Sequence, residues 1–139
     1  MRRWLHAFIL LTFMQGCAQV HEQVLDTSET QTQLQMRQVQ SRTFETHDKE
    51  RTMRAVIATL QDLGFVLDKA DLTLGTVSAT KLDGYALRMT VSVRPKGDAR
   101  MIVRANGQMN TTPVTAPDPY QSFFRALERS VFLSAHSVD

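Results

Sequence analysis

One cysteine, one tryptophan and four prolines are the scarcities of this 139-residue chain. A lone cysteine has no partner for an intramolecular disulfide, so the fold must rest on a packed core rather than covalent staples. An excess of either charge is also missing. Sixteen Lys and Arg stand against fourteen Asp and Glu, and this balance excludes a strong global field that would steer nucleic acid or acidic substrates. No apolar run reaches the about 20 residues of a membrane-spanning helix. The chemistry-bearing patterns of enzymes are absent too. His6, His21, His47 and His136 lie far apart in the sequence, without the close ligand spacing of a metal site. His47 stands beside Asp48 and Glu50 at an expected helix start, where capping and the helix dipole account for it. Gly64, Gly75, Gly84, Gly97 and Gly107 each fall at a turn or an element end, so no glycine-rich phosphate loop is formed. Ser78, Ser92 and Ser130 lack a nucleophile-elbow context. Neither an enzyme nor a cofactor is expected.

What is present begins at the N-terminus. Arg2 and Arg3 precede a mostly apolar run from Trp4 to Met14, broken by His6 and Thr12, and Gln15-Gly16-Cys17 closes it. A basic start, a short apolar stretch and a small residue at the boundary make a secretory signal peptide. With the chain's only cysteine at the boundary, the segment resembles a bacterial lipoprotein signal. Gly16 and Cys17 match that pattern, whereas Met14 and Gln15 replace its usual Leu and Ala or Ser. The resemblance implies cleavage after residue 16 and diacylglycerol and acyl chains on Cys17, a multiple lipidation that anchors durably. Ala18 after the cysteine, by the same resemblance, implies the periplasmic face of the outer membrane. The alternative is an ordinary signal peptide with Cys17 incidental. Cleavage removes sixteen residues, leaves 123, and takes away Arg2 and Arg3; the remaining fourteen basic residues equal the fourteen acidic ones.

Residues 17–38 are rich in Gln, Ser and Thr, contain no aromatic residue, and carry only sparse apolar positions. Such a stretch buries too little to offset its ordering entropy and reads as a flexible tether, with a helical spell open around Leu34 to Gln38 and a Gln-rich docking helix as the alternative. A folded domain over 39–135 follows, and residues 136–139 read as a frayed tail. Val39 to Glu45 reads as a first strand. His47 or Asp48 caps a helix whose Met53, Val56, Ile57, Leu60 and Leu63 share one face, ended by Gly64. Phe65 to Leu67, Gly75 to Lys81, Leu87 to Arg94 and Arg100 to Asn106 read as strands, with turns at Asp83-Gly84 and Lys96-Gly97-Asp98. Asn110 to Pro117 reads as an irregular connection. Asp118-Pro119 starts a last helix, with Tyr120, Phe124, Leu127, Val131 and Ala135 on one side and Phe123 beside them. The fold class is therefore α+β: a two-layer antiparallel sheet of four to five strands with two helices on one face, in the order β-α-β-β-β-β-α, a helix-grip-like unit.

The segments Arg42-Thr-Phe-Glu-Thr46, Leu60-Gln-Asp-Leu-Gly-Phe-Val-Leu-Asp68 and Leu74-Gly-Thr-Val-Ser-Ala-Thr-Lys81 resemble a group of small uncharacterised proteobacterial outer-membrane lipoproteins over roughly residues 39 to 85. In topology the domain is similar to the repeated domains of the assembly lipoprotein BamC. The resemblance implies location and fold and brings no activity with it. The remaining feature is cationic. Arg88, Arg94, Arg100 and Arg104 alternate with the apolar strand residues and are expected on the opposite face, a candidate patch for a phosphate- or carboxylate-bearing partner; a merely solvated face is the alternative. Nucleic acid is not expected, since a sheet that binds RNA stacks bases on aromatics. The expected function is a membrane-anchored, non-enzymatic accessory module that binds an envelope protein in an assembly or transport machine. The alternative is a small-ligand or lipid carrier with a cavity under the last helix, lined by Phe123, Phe124 and Phe132.

Overall fold

A computed structural model describes the backbone of residues 20–136 and the side chains of residues 29–132. The signal peptide, Cys17 and the tail from residue 137 lie outside the described residues. The chain divides into two compact units, Met1–Gln35 and Met36–Asp139.

The elements run α1 (Val20–Val39), β1 (Ser41–Phe44), α2 (Lys49–Asp62), β2 (Val66–Asp71), β3 (Thr76–Leu82), β4 (Ala86–Lys96), β5 (Arg100–Met109), β6 (Thr112–Pro113) and α3 (Asp118–His136). The class is α+β with an antiparallel sheet, as the pattern requires. Four details differ from the sequence reading. The Gln-rich stretch expected to be a flexible tether is helical from Val20 onward. It contains no Gly or Pro, and its Gln, Glu, Leu, Met and Arg residues are good helix formers. The helix runs through Val39, so the first strand begins at Ser41 rather than at Val39. The connection from Asn110 to Pro117 contributes a two-residue strand, β6, which pairs with β5 through Gln108↔Pro113 and Met109↔Thr112. His136, assigned to the tail, still belongs to α3.

The sheet order is β1-β5-β4-β3-β2, with β6 attached to β5. Every pairing is antiparallel. Helix α2 is fixed at both ends. Asp48 Oδ1 accepts from Arg51 N at 2.9 Å, an N-cap that satisfies an otherwise orphaned donor. At the far end Gly64 has φ +85°. Gly64 N donates to Gln61 O and Phe65 N to Leu60 O, both at 2.9 Å, closing the helix in a Schellman motif that favours glycine at its left-handed position.

Side chains alternate along each strand, and burial follows. Val77 and Ala79 of β3, Met89, Val91 and Val93 of β4, and Met101, Val103 and Ala105 of β5 are buried. Their faces meet Met53, Val56 and Leu60 of α2 and Tyr120, Phe123, Phe124 and Leu127 of α3, which complete one core. Phe123 and Phe124 pack edge to face at 5.1 Å. In α2 the buried set also takes in Thr52, Ala55 and Thr59, while Ile57 and Leu63 are only half-buried. Both α2 and α3 thus cover a single face of the sheet.

Candidate functional site

The sheet face opposite α2 and α3 is built by the residues that alternate with the core. In register they form cross-strand rows: Thr80-Arg88-Gln108, Ser78-Thr90-Asn106, Thr76-Ser92-Arg104-Ser41, Arg94-Ile102-Thr43, and Lys96-Arg100. Neighbours within a row are about 5 Å apart and neighbours along a strand roughly 6.6 Å. The middle of the face is therefore a field of hydroxyls and amides; four of its cations gather at the end nearest the β4–β5 turn, while Arg88 and Lys69 lie away from it.

Of the four arginines singled out in the sequence, the register brings three together. Arg94 lies opposite Ile102, with Arg100 two residues before Ile102 on β5 and Arg104 two residues after it. Lys96, which the sequence reading passed over, lies opposite Arg100 and completes the cluster. All four cations are exposed, and Ile102 at the centre is half-buried. Arg88 stands apart. It is six residues from Arg94 along β4, roughly 20 Å away, and faces Asp68 across a 3.8 Å Nε–Oδ2 contact. Asp68 also accepts from Thr80 Oγ1 at 2.7 Å.

Hydroxyls of β1 hold two of the clustered cations close to the sheet. Arg104 Nε donates to Ser41 Oγ at 3.3 Å, and Lys96 Nζ donates to Thr43 Oγ1 at 3.4 Å. Neither bond neutralises charge. Among the described residues no carboxylate pairs with Arg94, Lys96, Arg100 or Arg104; the ion pairs present are Arg42–Glu128, Arg54–Glu50 and Arg88–Asp68. The remaining donors of these guanidinium forks are therefore presented to solvent, in the geometry that grips carboxylate or phosphate.

The helical side has a groove of about 280 Å³ at the start of α3. Leu63, Phe65, Leu87 and Met89 line it, together with Lys81 and Asp118. The phenylalanines expected to line a cavity do not form it. Phe123 and Phe124 are buried in the core, where they fill space, and Phe132 is 63% exposed. Among the described residues no group of three His, Cys, Asp or Glu side chains is placed to hold a metal ion, and no helix is long and apolar enough to cross a membrane. In comparison with known proteins, the chain matches no family model and no curated sequence.

Proposed function

We propose that this chain is a lipid-anchored accessory protein of the bacterial envelope that binds a protein partner through the sheet face opposite α2 and α3. The observation that carries the reading is the cluster of Arg94, Lys96, Arg100 and Arg104, four exposed cations without an acidic partner among the described residues, on the sheet face opposite α2 and α3. Unneutralised cations crowded on one surface repel each other, and an anionic surface relieves that repulsion. The N-terminal pattern ending in Cys17 supports anchoring at the periplasmic face of the outer membrane. No catalytic role is assigned to any residue.

Crosslinking in living cells followed by affinity purification tests the reading: one envelope protein should be recovered reproducibly with the wild-type chain, and recovery of none would sink it. The anchor is tested separately. Cys17→Ser is expected to abolish labelling by a fatty-acid analogue and to release the protein from the membrane fraction. Unchanged labelling would refute the anchor.

A second reading, carriage of a small apolar ligand, rests on the groove bounded by Leu63, Phe65, Leu87 and Met89. Its size is at the lower edge of ligand pockets, which run to about 300–1,000 Å³.

A further inference from the structure

The partner-binding reading leaves open what kind of surface the cationic cluster takes, and the strand register narrows it. Along β5 the outward residues are Arg100, Ile102 and Arg104: cation, apolar, cation. Two strand steps separate each from the next, so the two arginines are roughly 13 Å apart with the isoleucine midway. An extended polypeptide has the same repeat on each of its faces. A segment of the form acid-x-apolar-x-acid, laid over β5, would set its apolar side chain on Ile102 and a carboxylate beside each flanking arginine. Arg94 lies directly across from Ile102 on β4, and Lys96 sits next to Arg100, so each carboxylate meets more than one cation. Resting on the partner-binding proposal, we infer that this face docks an extended acidic segment in which an apolar residue stands between two acidic ones.

The alternatives fit the same surface less well. A phospholipid surface is held by basic residues together with apolar side chains that insert among the acyl chains; within the cationic cluster the apolar member is Ile102, which is half-buried, and the exposed Val66 and Leu82 of the same face lie away from it on β2 and at the far end of β3. Single-stranded nucleic acid stacks on aromatic side chains, and none of the outward residues in the paired rows is aromatic. Carboxylate forks, by contrast, match guanidinium forks in pairs. The low posture of Arg104 and Lys96, bonded to Ser41 and Thr43, leaves a shallow bed for a narrow chain.

The probe is a short fluorescent peptide with a central Glu-Thr-Ile-Thr-Glu, titrated against the detergent-solubilised full chain and read by anisotropy. The expected result is saturable binding that weakens with added salt. The double variant Arg94→Glu/Arg100→Glu should weaken it by roughly tenfold or more, and Arg88→Glu by less than about twofold. Both arginines are exposed, so the double variant should keep its circular dichroism spectrum; the milder Arg94→Gln/Arg100→Gln serves if it does not. Replacing the peptide isoleucine with serine should also weaken binding, which charge attraction alone would not do. No binding, or equal binding by the wild type and the charge-reversed variant, overturns the inference. So does capture of vesicles made of equal parts phosphatidylglycerol and phosphatidylethanolamine through these arginines while the peptide is ignored. Recovery of an envelope partner in cells without peptide binding would leave the module reading standing and remove this one.

Discussion

Gly75→Ala is expected to destabilise the folded unit by roughly 3–4 kcal/mol. Gly75 precedes β3 with φ +67°, and a Cβ built there would lie 2.4 Å from Val93 O and 2.8 Å from Lys49 Cε. The lysine stem can swing away, but the carbonyl cannot. Val93 is buried at the centre of the sheet, paired with Val103, and its N–H donates to Gly75 O at 2.8 Å. Either the β3–β4 ladder opens at its end or the backbone of β4 shifts. Gly84 is the control. Its φ is +71° and nothing lies within 4 Å of a Cβ there, so Gly84→Ala carries only the left-handed strain, about 1 kcal/mol. Urea unfolding followed by circular dichroism reads both; the sole tryptophan, Trp4, lies in the segment read as removed. Equal losses at the two glycines would contradict the steric argument.

Tyr120→Phe is expected to lose about 2 kcal/mol by deleting one oxygen atom. Tyr120 is fully buried at the start of α3. Its hydroxyl accepts from Gly107 N at 3.0 Å and from Gln40 Nε2 at 3.2 Å, and it donates to Val114 O at 2.7 Å. One group therefore ties together the chain entering β1, strand β5 and the strap after β6. Phenylalanine would leave the Gly107 donor and the Val114 acceptor without this partner in an apolar interior, and unpaired buried groups lose their full desolvation cost. Faster hydrogen exchange at the Gly107 amide should accompany the loss. A change below about 0.5 kcal/mol would show that the network is not needed.

Tyr120 also shows where the sequence stops being legible. Its place on the apolar face of α3 follows from helical spacing, as do Phe124 and Leu127. The three partners of its hydroxyl come from positions 40, 107 and 114 and exist only once the sheet has assembled. The strands of the β3–β4–β5 meander are legible because apolar and polar residues alternate cleanly and the turns carry Asp-Gly and Lys-Gly-Asp. On α2 the apolar periodicity points to Ile57 and Leu63, yet Thr52, Ala55 and Thr59 are more buried, because small residues let the helix approach its neighbours and leave no hydrophobic signal. The opposite error occurs in α1. Sparse apolar residues argue against order when burial is the criterion, whereas backbone propensity is satisfied without burial.

The candidate site was half legible. Alternation puts the arginines on the face opposite the core. A three-residue turn then fixes Lys96 against Arg100, so the gathering of Arg94, Arg100 and Arg104 and the isolation of Arg88 follow from counting along β4 and β5. The pairing of β1 with β5, across 63 residues between Ser41 and Arg104, does not. That pairing supplies the hydroxyls that hold Arg104 and Lys96 against the sheet.

Partner binding through the sheet face opposite α2 and α3 is tested most directly by a photocrosslinking amino acid at Asn106, an exposed, uncharged position two residues beyond Arg104. The control is the same label at Arg125, exposed on α3. Irradiation of intact cells should yield one discrete protein adduct from position 106, none from position 125, and loss of the adduct when Arg94 and Arg100 are reversed to glutamate. Adducts that are identical at both positions, or that survive the charge reversal, would contradict the assignment of this face as the binding surface.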